Sequence, residues 1–139
     1  MIVVDASLFA AWLLNAPSHG PADAVWDILV ADTVFVPAHW PNEIANALRR
    51  AVRTKRIDAN EFQAIIERIS PFEIVLAGPT PVEEIGNLTE EALDHDLSAY
   101  DMTYIRLARE HQLSLATLDN AMRRAAATLN IPLLPTSAP

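Results

Sequence analysis

No cysteine occurs in the 139 residues, so disulfide staples, zinc–thiolate sites and cysteine nucleophiles are all excluded. A chain of this length can bury a core without such staples. A secretory signal is also lacking. Met1 runs straight into Ile2-Val3-Val4-Asp5, without the basic opening, the apolar run of roughly 7–15 residues or the small-residue cleavage site that export requires. No apolar run approaches the roughly 20 residues that span a bilayer. Repeats, linkers and low-complexity tracts are missing too. The expectation is a soluble, cytoplasmic protein with no membrane partner. It would form a single domain over residues 1–139, with 135–139 as a frayed tail.

Positive charge is scarce as well. Ten basic side chains face 18 acidic ones, for a net charge of −8, and Lys55 is the sole lysine. Nucleic-acid binders usually carry a basic footprint, so the sum alone argues against one. The distribution qualifies that: Arg49, Arg50, Arg53, Lys55 and Arg56 fall within eight positions. The chain is acidic with one concentrated basic patch.

What is present is a regular alternation of short β-branched runs with stretches of helical period. Strands are expected at Ile2–Val4, Val34–Val36, Phe72–Leu76, Leu113–Ala116 and Pro132–Leu134. Helices are expected at Ser7–Leu14, from Pro21 to about Ala31, from Pro41 to about Thr54, and from a cap at Asp58 to about Arg68. Three more are expected from Pro81 to Asp94 with a break at Gly86, from Ser98 to His111, and from Asn120 to Leu129. Strands alternating with helices imply an α/β fold with a mainly parallel sheet flanked by helices. In such sheets the functional crevice lies beyond the carboxyl ends of the strands.

Two aspartates stand at those ends. Asp5 follows the first strand and Asp119 follows the fourth, and either could equally be a helix N-cap. Asp101 lies within the stripe set by Leu97, Tyr104, Ile105 and Ala108. A carboxylate turned toward a core needs compensation. A capping arrangement with Ser98 and the helix dipole could supply it, and so could a metal ion. Glu43 lies in the first turn of the Pro41 helix, on the shoulder of the stripe Ile44, Ala47, Leu48 and Ala51, with Asn46 one turn on. A first-turn Glu is also common for dipole reasons alone.

The ends bearing all four acids should face one side of the fold. Two carboxylates about 4 Å apart repel by roughly 4 kcal/mol at an effective dielectric near 20, so a cluster needs a raised pKa or a cation. Oxygen ligands without His or Cys select Mg²⁺ or Mn²⁺. Such ions generate an attacking hydroxide and stabilise the transition state of phosphodiester hydrolysis.

Together these segments resemble the PIN-domain family. Ile-Val-Val-Asp5-Ala-Ser7 looks like its first motif and Pro41-Asn42-Glu43-Ile44-Ala45-Asn46-Ala47-Leu48 like its second. Leu97-Ser98-Ala99-Tyr100-Asp101-Met102-Thr103-Tyr104 looks like the third, and Leu115-Ala116-Thr117-Leu118-Asp119 like the fourth. The likeness covers nearly the whole chain and is most specific toward the VapC toxins. It implies a metal-dependent endoribonuclease that is usually dimeric and is held inactive by a VapB-type antitoxin. Asp5, Glu43, Asp101 and Asp119 would form its acidic quartet, with Ser7, Asn46 and Thr117 supporting them or positioning substrate.

Several residues remain open between a structural and an RNA-binding role. Arg49 and Arg53 point away from the core and Arg50 lies on the Glu43 flank. All three are candidate RNA contacts, as are Arg123 and Arg124, and a solvated helix end would explain the first three as well. Asp96 reads as a loop carboxylate. His19, His39, His95 and His111 are scattered and read as surface or loop residues, which disfavours a metal-free His acid–base ribonuclease. Trp12, Trp26 and Trp40 read as core. Rival readings are a non-catalytic binding module, a DNA nuclease, and a phosphoacceptor domain. The last usually needs a lysine near the phosphate, and Lys55 lies in a basic loop.

Overall fold

Ile2–Val4 is a β-branched run without polar alternation, as suits a strand covered on both faces. In the computed structural model, which describes residues 1–15 and 23–137, this segment is β1 (Ile2–Val4), buried along its whole length. It pairs in parallel with β2 (Thr33–Val36) on one side and β4 (Ser114–Ala116) on the other. β3 (Glu73–Leu76) lies outside β2 and β5 (Leu133–Leu134) outside β4, both parallel. The order β3-β2-β1-β4-β5 means that the chain builds outward from β1 in one direction and then returns to build in the other. The reversal falls between β1 and β4, the place where parallel α/β sheets present their crevice beyond the strand ends.

The helices are α1 (Ala6–Asn15), α2 (Asp23–Val30), α3 (Trp40–Arg53), α4 (Phe62–Glu67), α5 (Ile85–Asp94), α6 (Ala99–His111) and α7 (Asn120–Thr128). The α/β class with a parallel sheet is as the sequence pattern implies. Details differ at element ends. Pro21 and His19 lie outside the described residues, and α2 is described from Asp23. Phe72 is not in β3; it is buried, and its ring joins an aromatic cluster. The segment after Asp58 starts as a 3₁₀ turn, Ala59–Glu61, before α4. Here Glu61 Oε1 accepts the Asp58 amide at 3.1 Å, one arm of a capping box. The segment after Pro81 also opens as a 3₁₀ turn, Val82–Glu84, so the break precedes Gly86, which falls in the first turn of α5. At the C-terminal end, Pro135 is held by a hydrogen bond from Arg123 Nη2 to its carbonyl at 2.8 Å, so fraying does not begin there.

The core centres on Phe9, which is fully buried. Its ring meets Trp12, Trp26, Trp40 and Phe72 edge-on at centroid distances of 5.8, 5.6, 5.1 and 5.1 Å. Edge-to-face contacts at such distances add to the area that each ring buries. Trp26 and Trp40 are buried and Trp12 is half-buried against them. The cluster fixes α1 against α2, α3 and the approach to β3, and α1 begins directly after Asp5. No helix among the described residues is long and apolar enough to cross a membrane.

Phe9→Ala should cost about 3–5 kcal/mol, as for other large-to-small core changes. Urea unfolding measures this directly. A loss below about 1 kcal/mol would show that Phe9 is not the hinge of the cluster.

Candidate active site

The register pairs Val4 with Ala116, so the next residues, Asp5 and Thr117, emerge side by side at the crevice. Asp5 is only 3% exposed. A carboxylate so withdrawn needs several donors, and it has them. Oδ1 accepts the Ser7 amide at 3.1 Å, and Oδ2 accepts the Ser7 hydroxyl at 2.6 Å and the Thr117 hydroxyl at 2.9 Å. Asp5 therefore occupies the N-cap position of α1 while facing β4. Thr117 is fully buried, and its Oγ1 also accepts the Asp119 amide at 3.1 Å. Asp119 caps α7, accepting the Met122 amide on Oδ1 at 2.8 Å. Ser7 and Asp119 themselves are exposed.

Asp101 sits in the first turn of α6. The Ser98 hydroxyl caps that helix by accepting the Asp101 amide at 3.0 Å. The capping arrangement therefore exists, but it does not neutralise the carboxylate. Burial, then the negative charges of Asp5 and Asp119, push the Asp101 carboxyl above its usual range. Hydrogen bonding from Ser98 pulls it back, and the charge of Glu43 adds a further push upward. The other three acids thus lie within electrostatic reach of Asp101. Among the described residues, no lysine or arginine forms an ion pair with any of them.

Glu43, in the first turn of α3, is held on one oxygen. Oε1 accepts the Tyr104 hydroxyl at 2.8 Å and lies 2.6 Å from His39 Nδ1. Tyr104 is fully buried. Burial, the charge of Glu43 and its hydrogen bond to Glu43 raise the phenol far above its ordinary range, so it is a permanent donor. The periodic pattern places Tyr104 on the apolar stripe correctly but says nothing of its hydroxyl. His39 lies in the turn before α3, as the loop reading expects, but it is not at the open surface: it is half-buried, Nε2 is enclosed without a partner among the described residues, and its ring meets Tyr100 and Tyr104 edge-on. The i to i+4 spacing of His39 and Glu43 on one helix start was the available signal.

Arg123 is a second correction. It is not a surface contact for RNA but is buried, and it donates to the carbonyls of Thr117 and Pro135, each at 2.8 Å. It braces the loop that carries Thr117 and Asp119. Arg124 is exposed. Arg49, Arg50 and Arg53 are exposed on α3, and so is Asn46. Asp96 is exposed, with a left-handed backbone (φ 52°) before α6. A groove of about 520 Å³ between α1 and α3 is lined by Ser7, Ala10, Leu14, Ala47, Arg50 and Arg56, among others. It begins beside Asp5, and of the three candidate arginines only Arg50 lines it.

The donors are hard carboxylate oxygens under mutual repulsion, with no lysine or arginine paired to them among the described residues, and this chemistry fits Mg²⁺ or Mn²⁺. Among the described residues no three acidic or imidazole side chains are already closed into a metal cage. The fit therefore rests on donor type and charge.

Residues 2–128 match the PIN domain family model, and the chain belongs to the PIN-domain family. Its sequence is 32% identical over 122 residues to VapC ribonuclease Mb0985 of Mycobacterium bovis, covering 86% of each chain. It is equally similar to Ribonuclease VapC9 of Mycobacterium tuberculosis, so its relatives within the family are of the VapC type. The fold matches that of PAE2754 from Pyrobaculum aerophilum with a TM-score of 0.62 and 20% identity, covering 93% of this chain and 88% of that one.

The raised Asp101 carboxyl predicts a pH dependence. Below the ordinary carboxyl range, about pH 4, the group is protonated folded or unfolded. Between that range and the raised folded value the unfolded chain ionises while the folded group keeps its proton, so stability falls as pH rises, and the loss is full once pH exceeds the folded value. In EDTA, Asp101→Asn should raise Tm at pH 7, with the gain closing toward about pH 4. A variant melting no higher than the parent at pH 7 contradicts this.

Proposed function

We propose that this protein is a VapC-type toxin, a Mg²⁺- or Mn²⁺-dependent endoribonuclease whose ion is held by Asp5, Glu43, Asp101 and Asp119. The observation that carries the reading is the state of Asp101. Its carboxyl is pushed up by burial and by the charges of the other three acids, and among the described residues no lysine or arginine forms an ion pair with any of the four. When bound, such an ion supplies nucleophile activation and charge neutralisation for phosphodiester hydrolysis.

The chain's own residues do the rest. Ser7 and Thr117 hold the Asp5 carboxylate at the crevice, and Arg123 braces the loop behind Thr117. RNA follows the groove between α1 and α3, where Arg50 meets a backbone phosphate, since charge contacts dominate such binding. Asn46, one turn from Glu43, assists in placing the substrate. Residues 1–139 act as a single cytoplasmic nuclease domain that forms a homodimer. A VapB-type antitoxin holds the toxin inactive by introducing a basic side chain to the acidic cluster.

Purified protein with Mg²⁺ or Mn²⁺ should cut total cellular RNA into discrete fragments. EDTA should abolish cutting, and Asp5→Asn should reduce it at least about 100-fold, the scale of losing a metal-site interaction. RNA left intact by the parent protein with either metal would sink the proposal. Cutting of single-stranded DNA at equal rate would move it to the DNA-nuclease reading.

Arg50→Glu should raise KM for RNA several-fold and reduce the salt dependence of binding by about one phosphate contact, whereas Arg49→Glu and Arg53→Glu should have smaller effects. Equal effects of all three would place the RNA path outside the groove.

A further inference from the structure

Glu43 is held on one oxygen by a side chain of α6 and by another from the turn that opens α3. Tyr104 lies on α6, three residues beyond Asp101, and its hydroxyl crosses to Glu43 Oε1 on α3 at 2.8 Å. His39 Nδ1 approaches the same oxygen at 2.6 Å from the residue capping α3. Among the described residues, no hydrogen bond engages the other oxygen, Oε2, and the side chain is about one-third exposed. One oxygen is therefore saturated and the other is open.

We infer that Tyr104 and His39 are positioning residues that clamp Glu43 by Oε1 and so present Oε2 to the divalent cation; this rests on the metal-nuclease reading above. Two donors on one oxygen define the carboxylate's plane as well as its position, which a single contact does not. Tyr104 adds a second constraint. On α6 the i to i+3 spacing sets it on the same side as Asp101, so one hydrogen bond fixes the start of α3 against the start of α6. Two acids carried on separate helices are thereby held at a set separation before any ion arrives. With Nδ1–H donating to Glu43, the edge-on contacts with Tyr100 and Tyr104 fix the imidazole's orientation. Outer partners of this kind orient ligands and tune affinity in metal sites generally.

The test is calorimetric titration of Mn²⁺ into the full-length protein, compared with Tyr104→Phe, His39→Ala and His39→Asn. Asn is included because its side-chain amide can place a donor near the position of Nδ1. Tyr104→Phe and His39→Ala should each weaken Mn²⁺ binding about 10-fold, while His39→Asn should recover most of the loss. Metal-free melting temperatures report separately whether each variant is folded. At saturating Mn²⁺, RNA cleavage by Tyr104→Phe should return toward the parent rate, as expected of a residue acting through a ligand. Parent-like Mn²⁺ affinity in Tyr104→Phe, or a His39→Asn variant no better than His39→Ala, overturns the clamp and leaves the nuclease reading standing. A parent protein that binds no Mn²⁺ overturns both.

Discussion

Asp5 is a carboxylate almost wholly withdrawn from water, and three hydrogen bonds make that tolerable. Two come from Ser7 at the start of α1 and the third from Thr117 beyond β4. The partners belong to the two segments that flank the reversal of strand order, so the arrangement closes only when β1 and β4 pair in register. A slip of one residue would turn the side chains of β4 to opposite faces and strand the charge. Thr117 then passes the constraint on: its hydroxyl holds the Asp119 amide, and Arg123 holds its carbonyl from α7. Much of the architecture around the crevice follows from satisfying one buried acid.

The opposite wall is built differently. There the acids ride on the first turns of α3 and α6, where helix dipoles favour negative charge, and the connection between them is the phenol of Tyr104. The aromatic cluster around Phe9 sets the position of α1 and α3 from below. Stability and site geometry thus share elements: α1 and α3, which bury Phe9 and Trp40, carry Asp5 and Glu43 at their starts. The cost is the mutual repulsion felt at Asp101, which the fold sustains and a cation would relieve.

Much of this was legible in the sequence. Uninterrupted β-branched runs marked β1 and β2, helical periodicity marked α3 and α6, and a rule about strand ends drew attention to Asp5 and Asp119. Asp101 stood out because a charge lay on an otherwise apolar stripe. The misses have a common cause. Periodicity sorts residues by face, and residues with an apolar body and a polar tip can satisfy a face while acting elsewhere. Helical period places Tyr104 on the stripe and is silent on its hydroxyl, and it gives no sign that Arg123 reaches two carbonyls. A search for paired histidines passes over His39, whose partner is a glutamate one turn away. Pairings between distant segments, such as Tyr104 with Glu43, leave no local trace.

The four carboxylates stand at positions 5, 43, 101 and 119, and the last arrives with the loop that Arg123 and Pro135 hold in place. Asp5 therefore has no Thr117 beside it until the chain through β4 has been synthesised, and no fragment that stops short of β4 can complete these hydrogen bonds. Sequence order thus sets a delay: the first acid is translated early, but the cluster is completed only after Asp119 has emerged and β4 has paired with β1.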